Sequence, residues 1–297
     1  MHAYALRPIA GPDMARDQSS FGKGCARIAA LMAGALLAAA CAPAATPRDA
    51  SERPTVVSLN PCIDAILIEV AAPSQVLALS HYSRDPGSSS IPAAVAARYG
   101  VTGGTAEEVI ALQPDIVLAS TFLPQPTRSA LERAGLRVET FGSPTSIAAS
   151  IAQVRDVAAL VGAETKGEAL ANRIAAATPQ PARAPIATLL WQPGEIVAGE
   201  ATLIAELLRA EGFTNHAAAR GLVQADHVSL EALLADPPAL VLVAGDAPGQ
   251  RHPLLGQAMK VTTIAPLDPA LLYCGGPTIP KARARLREVR AMVERRP

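Results

Sequence analysis

Two stretches of the chain follow one plan: residues 105–120 are TAEEVIALQPDIVLAS, and residues 229–244 are SLEALLADPPALVLVA. Each begins with a hydroxyl residue suited to cap a helix and carries a glutamate in the first helical turn. A proline then ends the helix, and a run of branched apolar residues predicts a buried strand. The repeat predicts two α/β lobes with a cleft between them. Because this helix–turn–strand pattern is common in α/β proteins, chance similarity is the alternative.

The remaining pattern extends these units along the chain. Apolar runs at residues 55–60 and 76–80 predict strands, and their alternation with helical segments predicts mostly parallel sheets. Residues 146–177 carry an apolar stripe interrupted at Gly162, which is compatible with one long helix or two. The expected parts are an N-terminal lobe over residues 54–145, a connecting helix over 146–178 and a C-terminal lobe over 179–297.

The first 40 residues have the features of a secretory signal peptide. Basic residues between Arg16 and Arg27 precede an uncharged run, IAALMAGALLAAA, at residues 28–40. This run is too short to span a bilayer, since a spanning helix needs about 20 residues. Met14 is an alternative start, because the residues before it add nothing that a signal needs.

Cys41 directly follows this run and resembles the lipidation site of bacterial lipoproteins. Ala38 stands where such sites usually carry leucine, so ordinary signal-peptidase cleavage is the alternative. Residues 41–53 are rich in proline, alanine and charge, which predicts a tether. The chain is therefore expected in the periplasm, with or without a lipid anchor on Cys41.

Cys62 and Cys274 both lie at predicted strand ends, one in each lobe. In an oxidising compartment they are candidates for a disulfide that connects the lobes near the cleft. Such a bond requires their Cα atoms to lie within about 7 Å of each other. Two free, buried cysteines are the alternative.

Charge and motif content favour a binding protein over an enzyme or a nucleic-acid binder. The formal net charge is zero, whereas nucleic-acid binders usually carry a basic stripe. The chain has none of the common phosphate-loop, nucleophile-elbow, zinc-protease or dinucleotide motifs. Its five histidines are scattered without metal-ligand spacing. We therefore expect no catalysis, no metal site and no cofactor.

Candidate ligand-binding residues collect at the predicted strand ends, because ligands of open parallel sheets lie beyond the carboxyl ends of the strands. Aromatic residues make up only 3% of the chain, so their presence here favours a flat, partly apolar ligand. The alternative is that Phe122 and Trp191 fill the ends of the cores. The candidates are Asn60, His81, Tyr82, Arg84, Phe122, Trp191, Gln192 and Tyr273.

Four segments in this order and spacing resemble one family. They are VVSLNP at residues 56–61, VLALSHYSRDP at 76–86, GGTAEEVIALQPDIVL at 103–118 and AGE at 198–200. Together with the second repeat copy, they make residues 54–295 similar to the periplasmic substrate-binding proteins of ABC transporters for iron chelates and cobalamin.

The resemblance implies two Rossmann-like α/β lobes with mostly parallel sheets, joined by a single long helix, and a ligand cleft between them. It implies a monomer that binds a metal chelate and delivers it to an ABC permease dimer in the inner membrane. Tyr82 matches the tyrosine that packs on the corrin in cobalamin-binding members, so a corrinoid is favoured. Ser120 stands where those members carry tryptophan. A ferric siderophore or haem is the alternative, with His81 or Tyr82 as an axial haem ligand.

The resemblance also implies one acidic docking residue on each lobe, which pairs with arginine on the transporter. Asp64 is the candidate in the N-terminal lobe, and Glu200 or Glu206 is the candidate in the C-terminal lobe. Ordinary surface carboxylates are the alternative in each case.

Two readings from other classes stay open. A secreted α/β hydrolase needs a nucleophile–base pair, and His81 with Asp85 is the neighbouring pair that the sequence offers. A purely structural envelope lipoprotein needs no ligand site at all.

Overall fold

The computed structural model describes residues 53–176, 184–258, 262–272 and 274–295. The predicted signal over residues 1–40 lies outside these ranges, as does all of the tether except Arg53. Within them the chain forms two α/β lobes, each built around its own sheet.

The N-terminal lobe is a five-stranded parallel sheet flanked by helices. Its strands are β1 (Val56–Ser58), β2 (Val76–Ser80), β3 (Val101–Thr102), β4 (Ile116–Ser120) and β5 (Arg137–Phe141). Its helices are α1 (Pro61–Val70), α2 (Ala93–Ala96), α3 (Ala106–Leu112) and α4 (Gln125–Arg133). The order β3-β2-β1-β4-β5 places β1 at the centre, and the carboxyl ends of all five strands share one edge.

The connector between the lobes is a pair of helices, which is one of the two alternatives that the apolar stripe left open. The single long helix that the resemblance implies over residues 146–178 is wrong. The helices are α5 (Ile147–Leu160) and α6 (Glu164–Ala175). Gly162 ends the first helix in a left-handed conformation, with φ of 63°. The two helices pack closely, since a Cβ atom at Gly167 would lie 2.3 Å from that of Ala158. The apolar residues on either side of Gly162 therefore lie on two packed helices rather than on one.

The C-terminal lobe is a six-stranded, mostly parallel sheet. Its strands are β6 (Ile186–Gln192), β7 (Ile196–Ala198), β8 (Phe213–Asn215), β9 (Ala225–His227), β10 (Leu240–Val243) and β11 (Thr263–Pro266). Its helices are α7 (Leu203–Ala210), α8 (His216–Ala219), α9 (Leu230–Ala235), α10 (Pro253–Ala258) and α11 (Ile279–Glu294). The order is β11-β10-β6-β7-β9, with β8 beside the start of β6, and β7 runs antiparallel to both of its neighbours.

Both copies of the repeat form the predicted helix and strand. The Thr105 hydroxyl caps α3 by accepting a hydrogen bond from the Glu108 N–H at 3.3 Å. The Ser229 hydroxyl caps α9 by accepting from the Ala232 N–H at 3.2 Å. The strands that follow, β4 and β10, each lie beside the central strand of their sheet. The repeat is thus the same structural unit in each of two lobes.

One apolar core runs through both lobes and the connector. Its buried members include Val56, Leu118, Val154, Ile174, Leu190, Leu242 and Leu286. Fully burying one such side chain stabilises the fold by about 1.5–3 kcal/mol. The lobes are therefore held together on the connector side, because separating them there would expose this core to water.

Candidate functional site

A cavity of about 270 Å³ lies between the two lobes. From the N-terminal lobe it is lined by Cys62, Ser143, Pro144 and Thr145. From the C-terminal lobe it is lined by Leu190, Gln192, Ala198, Ala201, Thr202, Leu203, Ile204, Leu207, Gln224 and Ala225. The segment before α11 contributes Leu271, Leu272, Cys274 and Gly275. The N-terminal contributors follow β1 and β5, so the carboxyl edge of that sheet faces the cleft.

The described lining of this cavity carries no formal charge. Its polar groups are hydroxyls and amides, including the side chains of Gln192 and Gln224, set among alanine and leucine. Pockets that enclose drug-sized ligands hold about 300–1,000 Å³, so this cavity of about 270 Å³ falls just below that range. A bulky ligand would therefore enter in part and extend into the mouth of the cleft.

A disulfide between Cys62 and Cys274 lies in this lining, with the two Cα atoms 5.1 Å apart. This spacing falls in the usual range for the bond. Cys62 occupies the first turn of α1, where its N–H donates to the Asn60 side-chain oxygen at 2.9 Å. Asn60 is buried and serves as the helix cap, which corrects its expected role as a ligand-contacting residue. The pairing that the sequence offered is present in the structure.

The turn after β2, His81–Arg84, presents an aromatic pair at the edge that faces the cleft. The rings of His81 and Tyr82 have centroids 4.1 Å apart, and Tyr82 is 49% exposed. The His81 Nδ1 lies 3.3 Å from the Thr102 carbonyl oxygen. Arg84 is also exposed, and its guanidinium donates to the Tyr99 carbonyl at 2.8 Å. These three candidates lie together and are accessible.

Asp64 is fully buried beneath this turn, so the expectation that it docks a transporter is wrong. Its carboxylate accepts hydrogen bonds from the Ser80 N–H at 2.9 Å and the Ser83 hydroxyl at 2.6 Å. Burial raises the pKa of Asp64 to about 7, although hydrogen bonds from Ser58, Ser83 and the Ser80 N–H lower it in part. Asp64 stands on an apolar helix and holds the His81–Arg84 turn against it.

Phe122 and Trp191, two aromatic candidates, have opposite surroundings. Phe122 follows β4 and is 85% exposed, whereas Trp191 is 0% exposed in the core of the C-terminal lobe. The Trp191 indole N–H donates to the Val228 carbonyl at 3.0 Å, which satisfies its polar group inside that core. The prediction that Trp191 contacts ligand is therefore wrong, while Phe122 is free to do so.

The two acidic candidates of the C-terminal lobe also differ. Glu206 accepts a hydrogen bond from the Ile147 N–H at 2.9 Å, so this side chain of the C-terminal lobe caps the connector helix α5. Glu200 is exposed and forms an ion pair with Arg209. Of the three docking candidates, Glu200 is the one on an exposed surface.

The remaining candidates divide into those placed and those not described. Gln192 lines the cavity, while Tyr273 and Cys41 lie outside the described residues. His81 and Asp85 do not pair, since Asp85 accepts from the Ser88 hydroxyl at 2.6 Å and the Gly87 N–H at 2.9 Å. The catalytic pair of the hydrolase reading is thus not formed.

Sequence reasoning missed several residues that line the cavity: Ser143, Thr145, Thr202 and Gln224. A signal for the first two existed, because they follow β5 at the same edge as the other candidates. Thr202 gave a different signal, since its hydroxyl caps α7. Gln224 gave none.

No cluster of three or more histidine, cysteine or acidic side chains is placed to hold a metal ion in the described ranges. No helix in that same part of the chain is long and apolar enough to cross a membrane.

Two α/β lobes, a shared core on the connector side and an uncharged cleft define a two-lobed solute-binding protein. Residues 56–259 match the family model for periplasmic binding proteins, and the chain belongs to that family. Its members are solute-binding carriers rather than enzymes. No curated protein sequence matches the chain.

Solved structures share this fold at low sequence identity. The periplasmic haem-binding protein RhuT from Roseiflexus sp. RS-1 matches with TM-score 0.62 and 21% identity, covering 82% of this chain and 98% of that chain. The periplasmic haem-binding protein HutB of Vibrio cholerae matches with TM-score 0.66 and 17% identity, covering 80% and 99%. The periplasmic vitamin B12 binding protein BtuF of Vibrio cholerae matches with TM-score 0.61 and 18% identity, covering 82% and 99%.

Proposed function

We propose that this protein captures a metal chelate in the periplasm, with a corrinoid as the favoured ligand, and passes it to an ABC import permease. The observation that carries the choice is the uncharged lining of the cleft, with its hydroxyl and amide groups. The rim of a corrinoid carries many amide groups, which exchange hydrogen bonds with neutral partners such as Gln192 and Gln224. Ferric catecholate siderophores are anionic, and burying a charge without a partner is costly.

Exposed aromatic rings at the cleft mouth support a flat, macrocyclic ligand. Tyr82 and Phe122 both follow strands of the N-terminal sheet at the edge that faces the cavity. Ring faces bury a large apolar area, and the Tyr82 hydroxyl adds a polar group. Since the cavity of about 270 Å³ is too small to enclose a macrocycle, these rings would contact the part that stays in the mouth.

Haem is the second candidate, and the His81–Tyr82 pair is the observation that favours it. Both side chains are exposed, and either residue type serves as an axial ligand of haem iron. Haem also carries two propionate groups that need cations or water, and Arg84 lies on the same turn.

Delivery to a permease would use charge on the exposed surface. Glu200 is the carboxylate we assign to docking in the C-terminal lobe, because Asp64 is buried and Glu206 caps α5. Exposed charge pairs of this kind mainly guide encounter and orientation. Cys41 would anchor the protein to the membrane if it is lipidated, which keeps the receptor close to its transporter.

Calorimetric titration of the purified full chain with cyanocobalamin, haemin and a ferric hydroxamate tests the proposal. We expect saturable sub-micromolar binding of cyanocobalamin, weakened by Phe122→Ala and unchanged by Met292→Ala, a matched change of an exposed apolar residue on α11.

The other outcomes are distinct. Tight binding of haemin with a Soret shift that is lost in His81→Ala or Tyr82→Phe would select the second candidate. Failure of all three chelates to bind would overturn the receptor proposal.

A further inference from the structure

The Cys62–Cys274 disulfide lies in the wall of the ligand cavity, whereas a bond that only stabilises the fold could lie anywhere in it. Both cysteines line the cavity, and each belongs to a different lobe. We propose that this disulfide sets the width of the cleft and is therefore a specificity-determining element of the ligand site. The class of ligand rests on the proposed function. The control of cleft width by the disulfide rests only on contacts within the protein.

On one side, the disulfide is attached firmly to the N-terminal lobe. Cys62 lies in the first turn of α1, directly after the Asn60 cap. The same helix buries Ile63, Ile66 and Leu67 at 0–1% exposure. Movement of the Cys62 backbone therefore requires movement of the whole lobe.

On the other side, the disulfide is attached to the start of α11. The Thr278 hydroxyl donates to the Cys274 carbonyl, and the helix begins at the next residue, Ile279. Gly275 lies where no side chain fits, since a Cβ atom there would approach Ser150 Oγ to 2.6 Å. The segment is thus clamped between the connector and the C-terminal lobe.

Two hydrogen bonds join the connector helix α5 to the C-terminal lobe. The Gly276 N–H donates to the Ser150 hydroxyl at 2.6 Å, and the Ile147 N–H donates to the Glu206 carboxylate at 2.9 Å. Hydrogen bonds of this kind contribute only about 0.5–1.5 kcal/mol each, and the shared core holds the lobes on the connector side, so neither prevents transient opening at the cleft. The covalent bond in the cavity wall limits that opening.

A fixed width has a consequence for selection. With a cavity of about 270 Å³, a macrocycle inserts one edge between the lobes and leaves the remainder against the mouth. A site already held in its binding geometry avoids the ordering cost that a mobile site incurs on binding. Reduction by a dithiol transfers two electrons and two protons to the bond, gives two thiols and forms the disulfide of the reductant. The lobes then separate more often.

Hydrogen exchange of the full chain measures this separation directly. The amides of Ile147 and Gly276 report on the boundary between α5 and the C-terminal lobe, and the amides of β4 report on global folding. We expect the double variant Cys62→Ser/Cys274→Ser to exchange at least ten-fold faster at both boundary amides, with β4 unchanged. Its affinity for the chelate that the native protein binds best should fall about ten-fold. The difference in affinity between that chelate and the others should become smaller.

Two controls distinguish an effect of cleft width on binding from an effect of lower stability and from misfolding of the variant. Val289→Ala removes a buried methyl pair on α11 away from the cavity, so it lowers stability while leaving chelate affinity unchanged. Reduction of the native protein should reproduce the faster exchange and the weaker chelate binding, and reoxidation should reverse both. A folding defect of a variant cannot explain a reversible change in the native protein.

Unchanged exchange at Ile147 and Gly276 in the double variant would overturn the proposal. Faster exchange with chelate affinity within two-fold of the native value would overturn it too. If the native protein binds no chelate, the proposed function fails, and the exchange measurement still decides whether the disulfide sets the separation of the lobes.

Discussion

The two lobes use their aromatic residues in opposite ways. The N-terminal lobe exposes Tyr82 and Phe122 directly after β2 and β4, whereas the C-terminal lobe buries Trp191 at the end of β6. Both sets stand at the ends of strands, so position in the fold does not distinguish them. The difference is burial: Trp191 is enclosed in the core, where Val228 accepts from its indole N–H, whereas the rings of Tyr82 and Phe122 are exposed to solvent. The N-terminal lobe thus offers ring surface to a ligand, and the C-terminal lobe offers amides and hydroxyls.

The largest expected effect comes from truncating Trp191. Trp191→Ala should lower the free energy of unfolding by about 3–5 kcal/mol, since a large core side chain is lost. Phe122→Ala should change it by no more than about 0.5 kcal/mol, because that ring is exposed. Urea denaturation measures both. An equal loss of unfolding free energy in the two variants would contradict the difference in burial between Trp191 and Phe122.

The next effect concerns Asp64, which supports the exposed turn of the N-terminal lobe. Its pKa is 3.8 in the absence of burial and about 7 in the fold. Between these values the folded state binds more protons, so the free energy of unfolding falls as pH rises from about 4 to about 7. The slope is at most about 1.4 kcal/mol per pH unit, and this group adds no further change above that window.

Asp64→Asn should remove this slope, because an amide does not titrate and keeps an oxygen to accept from Ser80 and Ser83. Denaturation of both proteins at several pH values gives the comparison. A variant that retains the native slope would show that Asp64 does not titrate in this window.

A smaller effect is expected on chelate affinity when the exposed Tyr82 ring of the N-terminal lobe is removed. Tyr82→Ala should weaken chelate binding about ten-fold, in line with about 1–1.5 kcal/mol for an aromatic contact, while the stability of the fold stays the same. Met292→Ala serves as the exposed apolar control. Unchanged affinity in Tyr82→Ala would place the ligand away from this turn.

The smallest effect concerns docking. Glu200→Gln should leave chelate affinity unchanged and lower uptake by whole cells a few-fold, because an exposed carboxylate guides encounter with the permease. Glu132→Gln, which breaks the exposed Arg128–Glu132 pair on the other lobe, is the matched control. Equal uptake by both variants and the native protein would remove Glu200 from the docking surface.

Local signals predicted the repeated units well, and the failures have physical causes. Thr105 and Ser229 gave clear capping signals, and the proline after each helix marked its end. The connector was harder, because its apolar stripe continues past Gly162 and periodicity alone does not show that the chain turns there. Whether a helix runs on or folds back depends on packing between distant residues.

The site was less predictable than the fold. Asp64 was expected on the surface, although Ile63, Ala65 and Ile66 around it make α1 apolar on nearly every side. That pattern was a signal for burial. The local sequence does not predict that Phe122 is exposed and Trp191 buried, because each residue stands at or just after the end of an apolar strand. Only the tertiary structure separates them.

Hydrogen exchange of the full chain with and without its tightest-binding chelate locates the ligand on the protein. We expect protection at residues 81–84, 121–124 and 143–145 and around Gln192, and no change in α9 and β10 of the second repeat copy. Protection confined to a surface away from the cleft, or spread evenly over both repeat copies, would contradict a ligand site at the cleft.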